Sequence, residues 1–144
     1  MIAIGCDHGG FELKEKIVEF LKSKSYELTD FGTYSEESVD YPVYAKKVAE
    51  AILDENNPCK RGILVCGTGI GISITANKYK GIRAALCHDK DSARLTREHN
   101  NSNIVALGGR IVDHKLALEI VEIFLNTEFS NDERHIRRIE MIEN

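Results

Sequence analysis

The 144-residue sequence lacks several features that would place it in a specialised protein class. It contains two prolines and no tryptophan, and no apolar run approaches the about 20 residues needed to cross a bilayer. Neither a membrane span nor a signal peptide is therefore expected. A content of 42% hydrophobic and 29% charged residues is typical of a soluble folded protein. The length fits a single domain, residues 1–144, that buries a core without disulfides or metal.

A strong excess of charge of one sign is also missing. Nineteen basic and 23 acidic residues give a net charge of -4, so neither nucleic acid nor an anionic membrane surface is an expected partner. Four cysteines are present, with neither the redox CxxC spacing nor the spacing of paired zinc ligands. Free thiols and a reducing, cytoplasmic location are therefore predicted. The cysteines are Cys6, Cys59, Cys66 and Cys87.

Short β-type segments alternate with segments of helical period along the whole chain. Pro42 suits the first turn of the second helix, and Asp113 is a candidate N-cap for a later one. This alternation predicts an α/β fold: a three-layer Rossmann-like, flavodoxin-like parallel sheet of five strands, with helices on both faces and a C-terminal helix. Ligands of such sheets bind where the strands end. The predicted strands are Met1–Cys6, Tyr26–Asp30, Gly62–Cys66, Ile82–Leu86 and Asn103–Ala106.

The first predicted strand is followed by an acid and an imidazole. Asp7 and His8 precede Gly9 and Gly10, which places two titratable groups at the carboxyl edge of the sheet. A simpler alternative is that Asp7 only caps the next helix and that His8 is a turn residue.

The third predicted strand ends in a cysteine and a glycine-rich turn, 66–71. Alternate glycines followed by a helix favour a concave receptor for an anion. Ile72 stands where a dinucleotide fingerprint needs glycine and where a Cys-x5-Arg phosphatase loop needs arginine, and the lysine of a P-loop is absent. Main-chain dipoles at this turn favour the thiolate of Cys66, a base or nucleophile. The alternative is that Cys66 is a small buried hydrophobe, and an Sγ atom sealed beneath aliphatic packing would support that alternative.

Three further polar residues follow later elements. His99 and Asn100 end a helix and either project into a cleft or face solvent. Arg110 follows the fifth strand on a glycine turn, again at the carboxyl edge.

The C-terminal segment predicts a helix with an unusual pair of arginines. Arg134 and Arg138 have no acid three or four residues away, and like charges at this spacing repel unless an anion lies between them. Guanidinium groups suit a phosphate dianion, although a solvated cationic face would explain the pair as well. Arg137 has Glu133 and Glu140 within one turn, which predicts an ordinary surface ion pair.

These motifs, in this order and over nearly the whole chain, closely resemble those of the ribose-5-phosphate isomerase B family. The related isomerases of allose 6-phosphate and galactose 6-phosphate look similar. The matching segments are Gly5–Gly10, Cys66–Gly71, His99 with Asn100, Gly108–Arg110 and Arg134–Arg138.

The resemblance implies an aldose–ketose isomerisation of ribose 5-phosphate through an enediolate, without metal or organic cofactor. It implies that Cys66 is the base between C2 and C1, that Thr68 relays or donates a proton, and that His99 opens the sugar ring. It also implies a homodimer, or a dimer of dimers, whose pockets the partner chain completes. The substrate-binding residues it implies are Asp7, His8, Gly67, Gly69, Gly71, Asn100, Arg110, Arg134, His135 and Arg138.

Three other functions fit parts of the pattern. The substrate could be a six-carbon sugar phosphate. A non-enzymatic module that binds a sugar phosphate would use the same loop and arginines but would not require Cys66 or His99. A flavodoxin-like FMN carrier would share the architecture, but the absence of tryptophan to flank the flavin disfavours it.

Overall fold

A computed structural model describes residues 1–144 and contains one parallel sheet of five strands with six α-helices. The strands are β1 (Ile2–Cys6), β2 (Leu28–Asp30), β3 (Arg61–Cys66), β4 (Ala84–Leu86) and β5 (Ile104–Gly108). The helices are α1 (Phe11–Ser23), α2 (Tyr41–Leu53), α3 (Ile70–Ala76), α4 (Lys90–Asn100), α5 (His114–Asn126) and α6 (Glu133–Glu143). A short 3-10 turn, His8–Gly10, joins β1 to α1.

The sheet is buried on both faces, as its continuous apolar strands require. One core cluster lies between the sheet and helices α1, α4 and α5, and a second lies between the sheet and helices α2 and α3. Every residue of β1 and β5 is buried, and so is every residue of β3 after the first. The predicted fold class is therefore confirmed.

Sequence patterns locate the elements well and their ends less well. The two edge strands β2 and β4 have three residues each, shorter than predicted, because an edge strand pairs on one side only. Pro42 lies in the first turn of α2, and Asp113 caps α5 by accepting a hydrogen bond from the Leu116 N–H. Both helix starts are thus confirmed.

The strand order β2-β1-β3-β5-β4 differs from the flavodoxin order in its last two strands. The chain moves from β1 outward to β2 and then crosses to β3 on the other side of β1, so a crevice opens where β1 and β3 end. Cys6 pairs with Val65, and Cys66 pairs with Gly108. The segments that follow β1, β3 and β5 therefore meet at one edge.

All four cysteines are free thiols, as predicted. None of the helices has both the length and the apolar character that a membrane span requires.

Candidate active site

Backbone contacts hold together the segments that follow the three central strands. The N–H of Gly109 donates to the carbonyl of Cys66 at 2.8 Å, and the N–H of Arg110 donates to the carbonyl of Gly67 at 3.0 Å. A methyl group on Gly9 would lie 2.9 Å from the Gly67 nitrogen. The turn after β1 therefore fits against the loop after β3 only because Gly9 has no side chain. We call the group formed by Asp7, His8, Cys66, the loop 67–71 and Arg110 the thiol cluster.

The sulfur of Cys66 is held by the loop that follows it. Its Sγ atom accepts a hydrogen bond from the Gly69 N–H at 3.0 Å, and Gly69 adopts a φ of +78°, a conformation that favours glycine. Cys66 is only 4% exposed and borders the core cluster that includes Ile72. The structure therefore shows features of both alternatives for Cys66: the residue is buried, as a core residue would be, and its sulfur contacts the glycine loop.

The rest of the loop is shaped by two hydroxyl-bearing residues. The Oγ1 atom of exposed Thr68 accepts the N–H of Ile70 at 3.2 Å, which leaves its own proton free to be donated. Tyr41 packs over Gly71 so closely that a methyl group there would lie 2.5 Å from the Tyr41 ring. The sequence reasoning did not identify Tyr41, whose only signal is an aromatic residue at the start of α2.

Asp7 and His8 are both fixed by backbone groups. An Asp7 carboxylate oxygen accepts the Gly10 N–H at 3.1 Å, and the residue is 6% exposed, so Asp7 is a cap in addition to lining this edge. The Nδ1 atom of His8 lies 3.1 Å from the Val39 nitrogen and 3.2 Å from the Val39 carbonyl oxygen. The Val39 backbone therefore fixes the orientation of the His8 ring through this atom.

A cleft of about 300 Å³ lies beside the thiol cluster, and Arg110 lies in its wall without any salt bridge. The guanidinium group extends over Gly67, 3.5 Å from the position that a methyl group there would take. An unpaired guanidinium beside a polar cleft is suited to an anionic ligand. The cleft is lined by His8, Gly9, Glu12, Leu13, Glu36, Gly109 and Arg110.

The remaining predicted residues form a second group, the histidine cluster, at the C-terminal end of α4 and on α6. The imidazole rings of His99 and His135 stack with centroids 4.3 Å apart and an interplanar angle of 22°. Burial, together with the nearby His99 and Arg134, lowers the pKa of His135 below its ordinary value. The members of the histidine cluster are His99, Asn100, Arg134, His135 and Arg138.

The salt bridges of the α6 arginines differ in part from those predicted from the sequence. Arg134 does have an acidic neighbour, because its Nε atom lies 3.5 Å from an oxygen of exposed Asp132 two residues earlier. Arg138 forms no salt bridge, and neither does Arg137, so the predicted ion pair of Arg137 is absent. Arg138 is thus the more available of the two guanidinium groups proposed for an anion.

One chain does not bring the two clusters together. The thiol cluster lies where β1, β3 and β5 end, whereas α4 runs back across the sheet and ends just before β5 begins. The five residues of β5 separate these two edges by roughly 15 Å. The predicted site residues therefore lie at opposite ends of the strands: the thiol cluster at the carboxyl ends and the histidine cluster at the amino ends.

No group of three or more histidine, cysteine, aspartate or glutamate side chains is arranged to hold a metal ion.

Comparisons with known proteins give a consistent result. A family model described as Ribose/Galactose Isomerase matches residues 2–142. Ribose-5-phosphate isomerase B of Escherichia coli is 48% identical over 141 residues, 98% of this chain and 93% of that protein. The crystal structure of a ribose 5-phosphate isomerase from Thermotoga maritima is 57% identical, with a TM-score of 0.94 over 99% of this chain and 96% of that one. The galactose-6-phosphate isomerase subunit LacB of Clostridium acetobutylicum is 43% identical over 129 residues, 90% of this chain and 73% of that protein.

Proposed function

Because the chain belongs to the ribose/galactose isomerase family of sugar phosphate isomerases, we propose that it interconverts ribose 5-phosphate and ribulose 5-phosphate through an enediolate. The observation that carries the proposal is the contact between the Cys66 sulfur and the amide of Gly69, beside the unpaired guanidinium of Arg110. A thiol held by a backbone N–H near an unpaired guanidinium supports a base that acts beside an anion receptor.

The proton transfer is assigned to Cys66. Its thiolate removes the proton from C2 of the open-chain aldose, and the C2–H electron pair forms the C1–C2 double bond of the enediolate while the carbonyl oxygen O1 takes up negative charge. Return of the proton to C1, with transfer of the O2 hydroxyl proton to O1, yields the ketose. Substrate and product are isomers, so no oxidant or reductant is consumed; the proton held by Cys66 can exchange with solvent, and the base is regenerated.

The glycine loop and its neighbours stabilise the charge that develops on O1 and O2. Amides of the loop, including those of Gly67, Gly69 and Gly71, are assigned to these oxygens, where the loss of one donor typically costs about 3 kcal/mol of barrier. Thr68 relays or donates a proton there, since its hydroxyl proton is free. Asp7 and His8 position the sugar hydroxyls, and the backbone contacts of His8 Nδ1 to Val39 leave Nε2 available for this purpose.

The phosphate is assigned to three arginines. Arg110 and Arg138 have no carboxylate partner in the chain, and Arg134 has only an exposed one. Neutralising the phosphate also protects the base, because two negative charges in the same pocket would oppose formation of the Cys66 thiolate. His135 assists at this end of the substrate from its place in the stack with His99.

We assign ring opening to His99 and infer that it acts in the pocket of a second copy of the chain. In one chain His99, Asn100 and the α6 arginines lie at the opposite edge from Cys66, so one chain has no complete site. Apolar side chains exposed on α3 and α6 support a homodimer, since they would be buried by such a partner. They are Ile70, Ile74, Ile136, Met141 and Ile142.

A second candidate substrate is a six-carbon sugar phosphate. The similarity to a galactose-6-phosphate isomerase subunit supports it. The chemistry at C1 and C2 is the same for aldoses of either length, so the same residues would serve.

Incubation with sugar phosphates in deuterated water tests the proposal. Ribose 5-phosphate, allose 6-phosphate and galactose 6-phosphate are supplied separately, with EDTA, and followed by NMR. We expect ribulose 5-phosphate to form and C1 or C2 to gain deuterium. Faster turnover of a six-carbon substrate would assign the second candidate. Conversion only after metal is added would contradict the proposed mechanism, and so would the absence of turnover with all three substrates.

A further inference from the structure

Two buried hydroxyl groups lie beneath the end of α4, outside every role assigned above. Thr96 is 8% exposed and Ser102 is 2% exposed, and their Oγ atoms are 2.6 Å apart. The Thr96 Oγ1 atom also lies 3.2 Å from the Oδ1 atom of Asn100, one helical turn further on. The three side chains form a continuous hydrogen-bonded chain that leads from the interior to the surface.

The direction of these hydrogen bonds follows from the groups involved. The amide oxygen of Asn100 can only accept, so Thr96 must donate its single hydroxyl proton to it. The Ser102 hydroxyl then donates to Thr96. The Asn100 amide oxygen therefore faces the buried pair, and its NH2 group faces away from it.

The backbone on both sides of Asn100 is fixed as well. Arg97, 1% exposed, donates to the Ser102 carbonyl at 2.6 Å and to the Asn101 side chain at 2.9 Å. Arg83 donates to the Asn100 carbonyl at 2.8 Å. With the backbone held at these points, the hydroxyl of Thr96 determines which end of the Asn100 amide is presented.

We propose that Thr96 is a positioning residue that fixes Asn100 as a hydrogen-bond donor to an acceptor oxygen of the sugar phosphate. The inference rests on the proposed function, in which Asn100 contacts substrate in the partner's pocket. Without the Thr96 hydroxyl the amide can rotate about its last side-chain bond and present its oxygen instead, which repels an oxygen acceptor. Ser102 supports Thr96 from the interior.

Kinetics of two substitutions in two backgrounds test the proposal. Thr96→Val keeps the volume of the side chain and removes the hydroxyl. We expect it to lower kcat/KM by about tenfold in the parent and to have no further effect in Asn100→Ala, while Thr96→Ser stays within about twofold of the parent. An equal loss in both backgrounds would show that Thr96 merely supports the fold and would overturn the proposal.

The Asn100→Asp variant tests the direction of the contact. A carboxylate still accepts from Thr96 but offers the substrate an anionic oxygen. We expect kcat/KM to fall below that of Asn100→Ala. Activity equal to the parent would overturn the proposal, because it would show that an acceptor suffices at this position.

A spectroscopic readout separates this inference from the proposed function. In a 15N-edited NMR spectrum of the free protein, Thr96→Val should shift and broaden the Asn100 side-chain NH2 signals, whereas Thr96→Ser should leave them in place. Unchanged signals in Thr96→Val would overturn the positioning role even if the enzyme is active. A parent that turns over no sugar phosphate would overturn the proposed function even if the signals move.

Discussion

At the scale of single residues, the cysteines of this chain differ in burial and in the hydrogen bonds of their sulfur atoms. Burial raises the pKa of Cys6 to about 12 and that of Cys87 to about 11, so both are protonated and inert near neutral pH. Cys66 is also nearly buried, but its Sγ atom accepts a backbone N–H. The proposed base, Cys66, differs from Cys6 and Cys87 in the hydrogen bond that its sulfur accepts from the Gly69 N–H, rather than in its exposure.

Replacing Cys66 and His99 separately should divide the reaction into two steps. Cys66→Ala should reduce kcat at least about 100-fold on any form of the substrate, because the proton transfer loses its base. His99→Ala should slow mainly the turnover of cyclic ribose 5-phosphate and spare open-chain ribulose 5-phosphate in the reverse direction. Steady-state rates in both directions measure this. Cys59→Ala, another buried thiol, is the control and should retain parental rates; activity of Cys66→Ala equal to this control would refute the assigned base.

His135 should make the stability of the protein depend on pH. Burial and the charges of His99 and Arg134 lower its pKa below the ordinary 6.5, so the unfolded chain binds more protons in the window just below that value. Stability is therefore complete above about pH 7 and decreases as the pH falls through this window. Asp132 opposes the shift and Arg138 adds to it.

Thermal unfolding at about pH 5.5 and about pH 7.5 measures the effect. His135→Phe keeps an aromatic ring against His99 and removes the titrating group, so its unfolding temperature should fall less on acidification than that of the parent. Exposed His88, replaced by Gln, is the control. An identical decrease in parent and His135→Phe would contradict the assignment.

At the scale of secondary-structure elements, α6 is held at both of its ends. Its start is stacked on α4 through His135 and His99. Near its end, the Glu143 carboxylate accepts from Arg83 and from the Gly81 N–H, each at 2.7 Å. This double anchor fixes the helix that carries the proposed phosphate arginines, although most of its side chains are exposed.

Glu143→Ala should release the C-terminal half of α6. Loss of two hydrogen bonds to a charged, half-buried carboxylate is expected to cost about 2 kcal/mol locally. Hydrogen–deuterium exchange of the α6 amides should accelerate, and KM for the sugar phosphate should rise more than kcat falls. Glu140→Ala, which removes an exposed carboxylate that forms no salt bridge, is the matched control. Protection of α6 that equals the control would show that the anchor is dispensable.

At the scale of the whole molecule, the parallel sheet places the two halves of the proposed site on opposite edges. The thiol cluster follows strand ends, and the histidine cluster precedes a strand start. A second copy related by two-fold symmetry can present its histidine cluster to the thiol cluster of the first. The proposed site thus exists twice in a homodimer and not at all in one chain.

Mixing two variants that are each impaired on cyclic ribose 5-phosphate should restore activity on this substrate. When Cys66→Ala and His99→Ala chains exchange subunits at equal concentration, half of the dimers are mixed, and each mixed dimer has one site with neither substitution. About one quarter of all sites should then be intact, provided the pocket is shared. Activity on cyclic ribose 5-phosphate before and after exchange measures this. No recovery from chains that sedimentation shows to be mixed would exclude the shared pocket.

Much of the fold and the motif positions was accessible from sequence because the relevant signals are local. Apolar runs and helical stripes located all five strands and the helix starts at Pro42 and Asp113. The strand order was not accessible, since the exchange of β4 and β5 depends on packing between distant segments. Tyr41 was missed for the same reason, because only the folded chain brings it onto Gly71.

The sequence by itself determined the fold class, the free thiols and the glycine loop after Cys66, because periodicity, spacing and backbone freedom are properties of neighbouring residues. Only the tertiary structure decided that His99 and Arg138 lie at the edge opposite Cys66, and that Thr96 and Ser102 form a hydrogen-bonded chain to Asn100. The reason is physical: strand direction and helix return determine which edge a residue occupies, and hydrogen bonds between side chains form only once packing has brought them within reach.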